Sequence, residues 1–357
     1  MSGMRQELYY CIAGSVVTLH TEEPELVRKM LPGFQVFCVD PTGKRHEGAG
    51  KSEDDEANKA GEGANAAKAG EATNTGKKDG GFKANGFARH RPGLEFHVGE
   101  SPEGFGGLFL PDCVPIHSFA IDGGLCRLSR SRDVYFFSII NSEHAPRLVM
   151  VMEPGVPDVT CRVVSLDGLE PGFLKFALWI AFSFTSLARQ AVAVHSSVIV
   201  YKGRAILFLG ESGTGKSTHT RLWLQHIADS RVLNDDSPIL CVGSDVTGGG
   251  LFVYGSPWSG KGRCYVNEGC PVAALVRLAQ CQENRITLLG AVQAFGALYP
   301  SFPPAFARDP DLRESILGFI SETLRLVPVF RLDCRPDREA AELVKETLFS
   351  TCVPAVF

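Results

Sequence analysis

The chain has no apolar run long enough to cross a bilayer. Its longest, "FALWIAFSFTSLA" at 176–188, holds thirteen residues between Lys175 and Arg189. A bilayer needs roughly twenty, so a buried helix is expected there. The opening "MSGMRQELYYCIAG" lacks the basic stretch and following apolar run of a secretory signal. Eleven cysteines include no CxxC pair, which argues against a disulfide framework or zinc site and for reduced thiols. An excess of charge is missing too. The formal charge is -4 and the pI about 6.2, which gives no electrostatic reason to expect nucleic acid or an anionic membrane as partner. The expectation is a soluble, cytoplasmic protein.

Residues 51–86 contain no Val, Ile, Leu or Met and a single Phe. Such a segment cannot bury enough apolar surface to offset chain entropy, so a disordered insertion is expected. It interrupts residues 1–170, read as a β-rich α+β domain for recognition or assembly. The expected strand segments there are "LYYCIAGSVVTLH", "FQVFCV", "GLEFHVG", "VYFFSII" and "RLVMVM", with one helix at "EPELVRKML". From 171 to 357 helices and strands alternate. The buried helix leads to "VHSSVIVY", "RAILFLG", a helix "STHTRLWLQHIA", one strand "RVLNDDSPILCV", and "LFVYG". Then come "VAALVRL", "RITLL", a helix over 310–326, the strand "VPVFRLDC" and a closing helix from Pro336.

Two stretches share the spacing Gly, four residues, Gly, Lys: "GESGTGKST" from Gly210 and "GSPWSGKG" from Gly255. The first has the full phosphate-loop context, an apolar strand before it and a helix after it. Gly210, Gly213 and Gly215 let the backbone wrap so that its N–H groups face phosphate oxygens. Lys216 would reach the β- and γ-phosphates, and Ser217 would ligate Mg²⁺. Thr214 and Thr218 complete the expected nucleotide-binding set. The second stretch has Gly262 where the hydroxyl should be, and "RCYVNEGCP" after it cannot start a helix. It is read as a stiff turn that holds Lys261 and Arg263 toward the γ-phosphate.

Asp235 and Asp236 in "VLNDDSPIL" lie one helix beyond Lys216. Paired carboxylates beside a metal–phosphate site suit a division of labour. One coordinates Mg²⁺, and the other, facing its negative neighbour, gains basicity. In "VHSSVIVY-KG-RAILFLG", Lys202-Gly203 reads as a two-residue hairpin turn. Counting outward from it sets His195 opposite Gly210, at the mouth of the loop.

"VHSSVIVYKGRAILFLGESGTGKSTHTRL" followed by "LNDDSPIL" resembles the catalytic core of the HPr kinase/phosphorylase family, which shares its fold with ATP-dependent phosphoenolpyruvate carboxykinase. The resemblance covers about residues 190–300. It implies an α/β fold in which a mixed sheet with flanking helices carries the phosphate loop, and it implies ATP and Mg²⁺. By position it makes Lys216 the phosphate residue, Asp235 the base for the acceptor serine, Asp236 its acidic, metal-side companion with Ser217, and His195 the active-site histidine. The family's arginine-bearing loop has no literal match. "GSPWSGKGR" resembles instead a branch of HPr-kinase-like proteins associated with modification of small peptides or proteins. The expected activity is a kinase acting on a serine of a small protein or peptide, and the related enzymes being oligomeric points to homo-oligomeric assembly. An ATP-binding regulatory module, a small-molecule kinase and a carboxykinase-like enzyme remain alternatives at this level.

Overall fold

The computed structural model describes residues 5–44, 91–101, 104–105, 112–141, 145–243, 249–260, 262 and 264–350. The insertion expected at 51–86 lies outside them, as do Lys261 and Arg263. The architecture is mixed α/β, with two large mixed sheets and flanking helices.

The first sheet has eight strands: β1 (Gln6–Ile12), β2 (Ser15–Thr21), β3 (Arg91–Glu100), β4 (Val114–Ile121), β5 (Gly124–Ser131), β6 (Val134–Ile140), β7 (Pro146–Met152) and β8 (Asp158–Val163). Their order is β1-β2-β3-β8-β7-β6-β5-β4. The pairs β2·β3 and β3·β8 are parallel and the others antiparallel. β1 and β2 form a hairpin whose Ala13 and Gly14, at φ 50° and 75°, make the turn that matches strand twist. The helix expected near residue 24 is α1 (Pro24–Met30). "FQVFCV" is not the expected strand. Pro32–Phe37 is a 3₁₀ helix opened by Pro32. A three-residue turn puts Phe34 and Phe37 on one side, and both are buried.

The second sheet follows the path β12-β10-β11-β15-β14-β13-β9, with β17 pairing both β15 and β16. Its members are β9 (Ala191–Ala193), β10 (Ser196–Tyr201), β11 (Arg204–Leu209), β12 (Arg231–Asp236), β13 (Ile239–Val242), β14 (Leu251–Tyr254), β15 (Gly269–Gln280), β16 (Arg285–Leu288) and β17 (Val329–Cys334). β11·β15 and β15·β17 are parallel. The single strand expected over 231–242 is broken at Ser237-Pro238. Pro238 has no N–H to give a ladder. The Ser237 N–H turns to the Asn234 side chain at 3.0 Å, and the Pro238 carbonyl accepts from Val194 at 3.1 Å. β12 therefore pairs with β10, whereas β13 lies between β14 and β9.

The apolar run is α2 (Pro171–Leu187), with twelve of its seventeen residues buried. Among the described residues no helix is long and apolar enough to cross a membrane. α2 touches both sheets: Phe176 meets Phe119 and Phe137 of the first, and Phe182 meets Trp258 beyond β14 of the second. One apolar core runs through α2 from Leu8 to Val329. A smaller core on the outer face of the second sheet is covered by α3 (Lys216–His226) and α6 (Arg338–Phe349), with Trp223 and Val344 at its centre. Two further helices, α4 (Ala291–Leu298) and α5 (Pro310–Leu326), precede β17. α5 is capped by Asp309, which accepts from the Asp311 and Leu312 N–H groups and from Tyr135 of β6 at 2.8 Å.

Candidate active site

β10 and β11 form the hairpin read from the sequence: Tyr201 pairs with Arg204 and Ser196 with Leu209. Lys202 and Gly203, at φ 48° and 73°, make its two-residue turn. The next step of that register brings His195 to the start of the glycine loop.

The loop runs from β11 into α3. Gly215 caps the helix at φ 103°, a conformation that L side chains rarely adopt. A Cβ on Gly210 would collide with the Thr214 side chain, so the tight wrap requires glycine there. The Lys216 ammonium is buried and donates to the Gly210 carbonyl at 2.8 Å and the Glu211 carbonyl at 3.2 Å. Burial lowers its pKa, opposed by Asp236 and Asp235. The loop is braced from the end of β15. Arg277 pairs with Glu211, holding that carboxyl below its usual range, and Gln280 donates to the Gly213 carbonyl at 3.2 Å.

Lys216 Nζ also lies 2.8 Å from His195 Nε2, and His195 Nδ1 lies 3.2 Å from Asp236 Oδ1. An ammonium only donates, so Nε2 accepts and the Nδ1 proton points to Asp236. Lysine, imidazole and carboxylate thus form one chain. The second carboxylate sits apart from it. Asp235 Oδ1 accepts from Ser197 and, at 3.3 Å, from Ser217. The hydrogen bonds therefore divide the Asp pair differently from the expectation, with Ser217 on Asp235 and His195 on Asp236.

No family model and no curated protein matches this chain. Among solved structures it is similar to the HPr(Ser) kinase/phosphatase from Coxiella burnetii, at 15% identity and a TM-score of 0.25. The match covers 44% of this chain and 87% of that one. So slight a likeness carries no argument about the activity.

The second glycine-lysine stretch lies against the carboxylates. Gly260 N–H donates to the Asp235 carbonyl at 2.7 Å, and Ser259 makes an antiparallel bridge to Asp236. A Cβ on Gly255 would strike the Val266 carbonyl, so this glycine is set by a close backbone approach and not by phosphate. Buried Trp258 donates to the Lys175 carbonyl of α2 at 3.0 Å.

One cavity lies beside the loop and another beside His195 and Asp236. The first, of about 900 Å³, is lined by Gly213, Thr214, Gly215 and Thr218, with Leu222 and Leu278. Thr214 and Thr218 therefore face this side, away from the Asp pair. The other, of about 450 Å³, has His195 and Asp236 at one end and aromatic side chains around it. Sequence reasoning missed Ser197 and Lys175. Ser197 was within reach through the hairpin register, because it shares the strand face of His195 two residues away. Lys175, a lone cation at the edge of the apolar run, had only that oddity as a signal.

The donor set here suits Mg²⁺. Among the described residues no group of three or more His, Cys, Asp or Glu forms a metal cage. Mg²⁺ at a phosphate site does not need one, since it takes one or two protein oxygens and completes its shell with phosphate and water. Ser217 Oγ and Asp235 Oδ1, two hard oxygens 3.3 Å apart, fit that pattern.

Proposed function

We propose that the chain is an ATP- and Mg²⁺-dependent kinase that phosphorylates a serine hydroxyl on a small protein or peptide, through a P-loop core of the HPr kinase and phosphoenolpyruvate carboxykinase type. The observation that carries this reading is the convergence of Lys216, Ser217, Asp235, His195 and Asp236 around one strand end. Ligands bind beyond strand ends in such sheets. The loop amides and Lys216 hold the phosphates, and the larger cavity receives the nucleoside. Ser217 and Asp235 would hold Mg²⁺, which supplies neutralising charge when bound.

Asp236 is the general base in this scheme. It takes the proton from the acceptor hydroxyl as the new O–P bond forms and the bond to the departing ADP breaks. His195 orients it from the other side. Phosphoryl transfer depends mainly on positioning and charge neutralisation, so the base contributes about 10²–10⁴-fold. The first sheet serves recognition or assembly.

Incubation with γ-labelled ATP, Mg²⁺ and a lysate of the host is the direct test. Label on one small protein or peptide, absent with Lys216→Ala, is the expected result. Label confined to the metabolite fraction would make the protein a small-molecule kinase, and ATP binding with no label anywhere a regulatory module. Asp236→Asn is expected to lower transfer about 10²–10⁴-fold with ATP affinity within a few-fold. Asp235→Asn is expected to raise the Mg²⁺ concentration needed. The reverse pattern would exchange the two roles.

A further inference from the structure

The smaller cavity lies across His195 and Asp236 from the phosphate loop, and the proposed chemistry leaves most of it unused. Its walls are Phe176 and Trp179 of α2, Trp258 of the second glycine stretch, and Phe302 with Pro300 and Pro304. Polar groups gather at the end where Lys175, His195, Asp236 and Ser237 join the lining. An apolar enclosure with a few convergent polar groups is the usual form of a small-ligand site. Its volume, about 450 Å³, falls in the lower part of the range of roughly 300–1,000 Å³ for such sites. A folded protein recognised through a flat surface would need about 800 Å² of each partner, and a cavity is not required for that.

Two details describe the occupant. The four aromatic walls suit a flat apolar group. The Trp179 indole N–H is buried and has no hydrogen-bond partner among the described residues, although buried polar groups are nearly always paired. That atom has no surface open to the cavity, so the ring contributes a wall and not a donor. Lys175 lines the cavity as a donor, and its one side-chain hydrogen bond among the described residues is long, 3.4 Å to the Ser259 carbonyl. Burial lowers its pKa and Asp236 opposes that.

We propose that this cavity is the acceptor site, and that it selects a hydroxyl carried beside an aromatic ring, with a carbonyl or carboxylate oxygen held by Lys175. This rests on the kinase reading and narrows its substrate to a serine next to an aromatic residue, or a free molecule with the same groups. Asp236, at the cavity's polar end, then meets the hydroxyl that it deprotonates. The two sources share one chemistry and are separated by the probes.

The test compares acetyl-Phe-Ser-amide, acetyl-Gly-Ser-amide and free phenylalaninol, first by calorimetric binding without nucleotide, then by transfer from labelled ATP. The Phe peptide is expected to bind and to react about tenfold better than the Gly peptide or more, as burial of a ring implies. Gly172 lines the cavity, is exposed, and a Cβ there would meet nothing within 4 Å. Gly172→Trp should therefore fill the cavity and erase the preference, with ATP affinity measured alongside to show that the variant is folded.

Selective binding by either aromatic probe, lost in Gly172→Trp, supports the site, and the tighter probe names the source. Equal use of the Phe and Gly peptides overturns the site and leaves the kinase standing. Selective binding with no transfer leaves the site and removes the kinase. Binding by neither aromatic probe overturns the inference.

Discussion

Asp236 offers a measurement that separates the site from the scaffold. Five other described non-glycine residues have positive φ, and all five lie between 48° and 63°, in the left-handed basin. Asp236 has φ 151°, far outside it, in a region that is essentially glycine's. Such a conformation costs about 1–3 kcal/mol and tends to occur at functional sites. Replacing Asp236 by Gly removes the clash but adds chain freedom to the unfolded state, a loss of about 0.4–1 kcal/mol. Replacing it by Ala keeps the Cβ and hence the strain. Both variants lose the His195 contact, so that term cancels between them. The Gly variant should be more stable than the Ala variant by about 0.5–2 kcal/mol, and both should lose phosphoryl transfer. Guanidinium denaturation of the pair reads the difference. A Gly variant no more stable than the Ala variant would refute the claim that strain is stored here.

His219 is buried in α3 and accepts from the Trp223 indole at 3.3 Å; burial holds its pKa at about 4, below the ordinary 6.5. Between those values the unfolded chain takes up a proton that the folded chain refuses, so stability falls as pH drops through the window, by up to about 1.4 kcal/mol per unit. His219→Gln should flatten the stability profile there, and an unchanged slope would count against a neutral imidazole. Gly255→Ala forces a Cβ onto the Val266 carbonyl and should cost about 1–3 kcal/mol, whereas a neutral effect would show that the second loop can give way. Asp309→Ala removes the α5 cap and leaves the buried Tyr135 hydroxyl without its partner, while Arg130 keeps Asp311 at 2.6 Å. It should cost about 2–4 kcal/mol, measured by denaturation, and a loss under 1 kcal/mol would show that water replaces the carboxylate.

The parts of the site that are local in sequence were legible there. The phosphate loop, its helix and the β10–β11 turn are each fixed by neighbours a few residues away, and the glycines state their backbone needs openly. What failed was of two kinds, local breaks outweighed by apolar content and pairings between segments far apart in sequence. "RVLNDDSPILCV" has the apolar content of one strand, but Pro238 denies a ladder bond and Asn234 captures the Ser237 N–H, so the chain leaves β12 after the Asp pair. "FQVFCV" has strand composition, yet Pro32 and the three-residue spacing of Phe34 and Phe37 favour a 3₁₀ turn. The partners of each carboxylate depended on which side chain of β10 faced which of β12. That register is visible only once both strands are paired. The cavity was invisible in the sequence, because its walls come from residues 172–179, 258 and 300–304, segments with no common pattern.

α2 is held on both sides: its Phe176 ring rests on Phe119 and Phe137 of the first sheet, while the same ring and Trp179 three residues on form part of the cavity wall. Close-packed interiors transmit small volume changes instead of absorbing them. A methyl group gained or lost at Phe119 or Phe137 is therefore felt where the acceptor ring would sit, although neither residue lines the cavity. If the cavity takes the acceptor, the amino-terminal sheet would act as a tuning frame for selectivity. Under that proposal, drift in that half of the chain would change what is accepted while every residue around the phosphate loop stays as it is.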